Sequence, residues 1–172
     1  AAPKDAAVLL KQGEYPGGDT ALLASVTVPD AAVPDAAGYA YVAITPITLL
    51  AKTQYLIGGE DTNAFWDSNI AGTADRAFTT APVAALVASR YAQGFSRPST
   101  PGQRDAGRWA VGNAKFSVDA SEPRPLINFD RARVDDPKDR RAPNRYMIGN
   151  LFKVGDRDIQ ITALGLHDAD GN

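Results

Sequence analysis

The sequence predicts an all-β protein, an antiparallel β-sandwich of jelly-roll type, and three observations carry that prediction. Apolar segments of strand length, roughly seven to nine of them, recur between turn signals. Twelve Pro and fifteen Gly cut the chain into pieces too short for long helices. Helical periodicity is weak throughout, whereas β-branched and aromatic residues gather in the apolar segments.

Taken in order, a first strand starts at Val8. Leu22-Leu23-Ala24-Ser25-Val26-Thr27-Val28 has a β-branched finish and stops at Pro29, as a strand does. Pro29 to Gly38 makes a loop. Tyr39 to Ile44 is the next strand, closed by Thr45-Pro46. Thr48-Leu49-Leu50 and Gln54 to Gly59 follow as two short strands around an Ala-Lys-Thr turn. From Glu60 to Gly107 the pattern loosens into long ordered loops carrying Phe65, Trp66, Phe78, Tyr91 and Phe95, with Trp109 just beyond. Within them, Pro82 to Tyr91 suits a strand through Val83, Val87 and Tyr91, although its apolar run also suits a helical turn. Asn113 to Val118 alternates as a strand. Tyr146 to Val154 and Ile159 to Leu166 complete the set, the last being the clearest.

The intervening residues 119–144 hold Pro123, Pro125, Pro137 and Pro143, with dense mixed charge from Asp130 to Arg141. They read as an extended arm with little to bury. The expected organisation is therefore a body over 1–118, an arm over 119–144, and strands over 145–172 that complete a sandwich.

Composition removes several function classes. The chain has 172 residues, enough for one domain with a core. Its formal charge of −2 supplies no basic excess for nucleic acid or an anionic membrane. No apolar run approaches the roughly 20 residues of a membrane span, so no membrane insertion is expected. Without cysteine there is no disulfide, thiolate metal site or cysteine nucleophile. Ala1-Ala2-Pro3-Lys4 fits either the remnant of a cleaved signal peptide or an arbitrary start.

Gly149 to Gly155, Ile159 to Leu166 and Asp168 to Asn172 resemble the opening of a bacterial secreted or cell-surface β-sandwich domain of unknown function. Members occur in sorting-signal-anchored proteins, sometimes beside fibronectin-like or carbohydrate-active modules. Leu22 to Pro29, Gly38 to Ile44, Ile47 to Ala51 and Tyr55 to Gly58 resemble its middle. Ser89-Arg90-Tyr91, Gly94-Phe95 and Phe116-Ser117-Val118 resemble its end. The order is circularly permuted, because the opening strands stand at the C-terminus, and Asn172 followed by Ala1 would continue the family pattern. The resemblance implies a secreted or cell-surface location.

Permutation leaves three arrangements open. The chain closes on itself; or Tyr146 to Leu166 are donated to the next subunit; or the sequence is one period of a repeat array. An arm of about 25 residues reaches up to roughly 80 Å, so length does not choose among them. A sheet lacking two strands exposes unpaired N–H and C=O groups and an open core, which a neighbour's strand satisfies head to tail. The expected function is thus a structural module of an extracellular or cell-surface assembly, self-associating through Tyr146, Ile148, Leu151, Phe152, Val154, Ile159, Ile161, Leu164 and Leu166.

The remaining candidates are local. Asp168-Ala169-Asp170-Gly171-Asn172 has the form of a calcium loop, with Asp168, Asp170 and Asn172 as ligands, and equally the form of a polar turn. It lacks the bidentate Glu of an EF-hand, and no cofactor is otherwise required. Trp66, Tyr91 and Trp109 would make a stacking platform if exposed together, which would bind polysaccharide; aromatic residues more often pack. His167 is the only histidine and reads as a strand-end residue. No Gly-x-Ser-x-Gly elbow is present, and Glu14, Glu60, Asp61, Asp67 and Asp75 are scattered, so no catalytic residues are assigned and no enzyme is expected.

Overall fold

In a computed structural model of the chain, described for residues 6–11, 21–29, 31–61, 65–66, 69–70, 78–93, 100–101, 108–109, 112–119, 121–129, 140–141 and 146–167, the protein is all-β, and no helix occurs among those residues. The strands are β1 (Ala6–Lys11), β2 (Ala21–Thr27), β3 (Tyr39–Leu49), β4 (Gln54–Asp61), β5 (Phe65–Trp66), β6 (Asn69–Ile70), β7 (Phe78–Thr80), β8 (Ala84–Gln93), β9 (Thr100–Pro101), β10 (Arg108–Trp109), β11 (Gly112–Ser117), β12 (Arg124–Pro125), β13 (Ile127–Phe129), β14 (Arg140–Arg141), β15 (Tyr146–Val154) and β16 (Ile159–His167). Two antiparallel sheets carry the architecture. One has the order β2-β1-β4-β15-β8-β9, the other β12-β11-β16-β3.

Both sheets contribute to one core. Leu9, Tyr55, Ile57, Phe152 and Val154 of the larger sheet pack in a single cluster with Leu49, Ala114, Phe116, Ile159, Ile161 and Leu164 of the smaller. Alternation along β4 sends Leu56 to the opposite face, where it forms a second cluster with Leu151 and Ala88. The two sheets come into close approach at Gly112, where an added Cβ would lie 2.5 Å from the Gly58 backbone. Glycine is required there because two main chains meet without room for a side chain.

Two features depart from the sequence expectation, and one ambiguous segment is settled as the strand it was read to be. Tyr39–Leu49 is one strand, not two separated at Thr45-Pro46. Among the described residues β3 pairs only with β16, so Pro46 sits on a sheet edge where its missing N–H costs no ladder bond, and a register shift opposite it absorbs the irregularity. The segment Pro82 to Tyr91, read as a strand with a helical turn as the other reading, is a strand from Ala84, and β8 continues two residues further to Gln93. Part of 119–144 belongs to the body: Leu126 and Ile127 are fully buried, so the reading of this segment as having little to bury is corrected at those two residues, while Ser121 to Arg124 and Asn128 are exposed.

A buried polar side chain explains that docking. Asn113, in β11, donates its Nδ2–H to the Ile127 carbonyl at 2.7 Å and accepts from the Ile127 N–H at 3.0 Å. Its carboxamide thus pairs with a peptide group as a neighbouring strand would. Leu126 N–H adds a bond to the Ala114 carbonyl at 2.7 Å.

Candidate functional site

The last two strands occupy the middle of the molecule. Strand β15 lies between β4 and β8 in the larger sheet, pairing Leu151 with Leu56 and with Ala88. Strand β16 lies between β11 and β3 in the smaller sheet, pairing Leu164 with Ala114 and with Val42. All these pairings are made within the one chain. Leu151, Phe152, Val154, Ile159, Ile161, Leu164 and Leu166 are all buried, Phe152, Ile161 and Leu164 completely. Tyr146 and Ile148 stand in register with Asp61 and Gly59 of β4.

A corner at residues 155–158 carries the chain from one sheet to the other, and it runs beside a second corner at residues 50–53 that joins β3 to β4. The two are bonded together. Lys52 N–H points at the Val154 and Gly155 carbonyls (3.1 and 2.9 Å), and Val154 N–H reaches the Thr53 carbonyl at 3.0 Å. Asp158 accepts the Ala51 N–H at 2.7 Å. Gly155 N–H donates to the Val83 carbonyl at 2.7 Å, and a Cβ at Gly155 would meet that oxygen at 3.1 Å. Lys52 takes a left-handed φ of 61° to aim its N–H, and its exposed ammonium stands 3.7 Å from Asp156. Residues 146–167 are therefore two strands joined by a corner, one wedged between the two halves of each sheet, with register fixed at the bend.

Glycine also permits the wedge to seat. A Cβ at Gly165 would fall 2.6 Å from Cδ1 of Tyr41 and 2.8 Å from the Ala40 carbonyl. The Tyr41 ring lies against this position with the Lys115 ammonium 4.6 Å from its centroid. Tyr39 lies beside it, ring centroids 6.1 Å apart. Burial raises both phenol pKa values well above their usual range, and the nearby Asp35 carboxylate adds to the effect.

Other sequence candidates fare differently. Asp168, Asp170 and Asn172 lie outside the described residues. Among the described residues no group of three or more His, Asp or Glu could hold a metal ion, and no helix is long and apolar enough to cross a membrane. Of the aromatic trio, Tyr91 lies on β8 and Trp109 on β10, and β10 packs against both β8 and β15. Trp66 lies on β5, paired with β14. Sequence reading placed the turn at 51–53 but not its bonds to residues 154–158, and it missed two glycines, Gly112 on the receiving side and Gly165 on the wedge. Their signal, isolated Gly inside strand-like segments, was present but has several meanings.

The arrangement defines an all-β protein of two antiparallel sheets completed by its own C-terminal strands. Comparison with family models, with curated protein sequences and with solved structures finds no match to this chain.

Proposed function

We propose that the chain is a jelly-roll-like β-sandwich module of an extracellular or cell-surface assembly, and that residues 146–167 are the segment through which copies join head to tail. One observation supports this most: the two final strands are central, one in each sheet, and reach both through a single bend. A segment so placed completes a fold wherever it is delivered, in its own chain or in a neighbour, because the contacts are identical in the two cases. The surface location rests on the resemblance in residues 149–155 and 159–166. The module has no catalytic role in this reading.

Light scattering on the eluting peaks of a size-exclusion column tests it. Chains that exchange strands give species at multiples of the 18.2 kDa protomer that grow with concentration. A single monomer peak across the whole range defeats the proposal. Calcium, if held by the acidic turn at Asp168 and Asp170, would raise the melting temperature of the same samples. The alternative, a carbohydrate-binding module, is favoured by the proximity of β10, carrying Trp109, to β8, carrying Tyr91; retention on insoluble polysaccharide that is lost with Trp109→Ala would select it.

A further inference from the structure

The chain that leads into the wedge, residues 146–167, is paired at three places before it arrives. Strand β12 lies on β11, β13 on β7, and β14 on β5, all within the one chain. The Asn113 carboxamide on Ile127 and the Leu126 N–H on the Ala114 carbonyl hold the first part further. Two of the three pairings continue a ladder of the larger sheet. Strand β15 pairs with β4 as far as Tyr146 opposite Asp61. Phe129 stands opposite Phe78, and the segments between these two pairs, 62–77 and 130–145, are equal in length. Arg141 opposite Phe65 falls between them on the same alignment, offset by a single residue. One antiparallel alignment thus matches β15, β14 and β13 with β4, β5 and β7 in turn.

We infer that β14 on β5 is a strap that delivers the wedge to its own chain ahead of capture by a neighbour. The reason is tether length. With β14 seated, only residues 142–145 separate a fixed point from Tyr146, the first residue of β15. With β14 free, the nearest fixed point is Phe129 of β13, and residues 130–145 intervene. The tether is then four times as long. Closure of a flexible loop becomes less favourable as the three-halves power of its length, so the local concentration of the wedge at its own seat falls by about eightfold. A neighbour's wedge competes only at the concentration of the protein itself. The strap therefore sets how concentrated the copies must be before they join. That consequence rests on the head-to-tail reading, and the strap itself does not.

Refolding kinetics test it. Arg140→Pro with Arg141→Pro removes the N–H groups of β14 from the ladder, whereas Arg140→Ala with Arg141→Ala keeps them. Phe65→Pro with Trp66→Pro attacks the same ladder from β5. Each protein is unfolded for less than about a second, too briefly for prolines to isomerise, and then refolded at low concentration. Both proline variants should refold roughly eightfold more slowly than the parent, and the alanine variant at the parent's rate. At higher concentration, the proline variants should be half converted into species heavier than the 18.2 kDa protomer at about one-eighth of the concentration the parent needs. Refolding of both proline variants at the parent's rate overturns the strap, whatever the assembly state. Equal slowing of the alanine variant overturns it too, because the effect then belongs to the side chains and not to the ladder. Slowed refolding of the proline variants alone, with no heavy species at any concentration, keeps the strap and sinks head-to-tail joining.

Discussion

Asn113 carries more of the fold than its size suggests. Its carboxamide satisfies both backbone groups of Ile127 and also accepts the Ala114 N–H at 2.8 Å, all in buried surroundings. Asn113→Ala leaves the Ile127 N–H and C=O desolvated without partners, at about 1–3 kcal/mol for each group left unsatisfied. The expected result is a melting temperature lower by several degrees, with faster hydrogen exchange at residues 126–127. An unchanged melting curve would show that residues 121–129 hold to the body by other means. Tyr39 and Tyr41 make a second test, through pH. Their folded-state pKa values lie above those of the unfolded chain, so the folded state holds its phenolic protons longer. Stability is then constant below about pH 10 and falls as pH rises past it, because only the unfolded chain releases those protons. Absorbance at about 295 nm follows phenolate formation. Tyr39 and Tyr41 should ionise only as the fold opens, in step with loss of the β circular dichroism signal. Ionisation of Tyr39 and Tyr41 ahead of unfolding would remove the burial argument.

At the scale of elements, the strands that alternate against one core were legible, and those defined by long-range pairing were not. Tyr146–Val154 coincides with its expected bounds, and Ile159–His167 extends the expected strand by one residue, because each has apolar residues spaced for a buried face. Strand β3 was divided at Pro46 because a proline inside a strand pattern ordinarily ends it; only the knowledge that β3 is an edge reverses that inference. Arg124–Pro125 and Ile127–Phe129 sit among prolines and charges and show no alternation long enough to detect. Their strand character comes from pairing with Lys115 and Phe116 of β11 and with Phe78–Thr80 of β7, which are near in space and not in sequence. The candidate segment 146–167 was legible as strands, and its central place in both sheets was not, since strand order depends on pairing that periodicity does not encode.

The whole molecule depends on the wedge. Seven buried apolar side chains of β15 and β16 (Leu151, Phe152, Val154, Ile159, Ile161, Leu164 and Leu166) each stabilise the fold by roughly 1.5–3 kcal/mol through burial, a total comparable with or above the 5–15 kcal/mol of net stability typical of a domain. A body without them has both sheets split at the middle and should not fold. This dependence allows closure within a chain to be separated from exchange between chains. Gly165→Val spoils the wedge, because its Cβ meets Tyr41 and the Ala40 carbonyl, while leaving the receiving strands intact. Gly112→Val spoils the receiving body at its contact with Gly58 while leaving the wedge intact. Each overpacked variant should unfold at lower denaturant than the parent, by at least about 1–3 kcal/mol. If strands exchange, the intact wedge of the Gly112→Val chain seats in the intact body of the Gly165→Val chain when the two are refolded together. One module of each such pair then regains the parent's cooperative transition, in a species heavier than the monomer. A mixture whose unfolding curve is the average of the two separate curves means that the wedge closes only within its own chain, and the head-to-tail assembly falls with it.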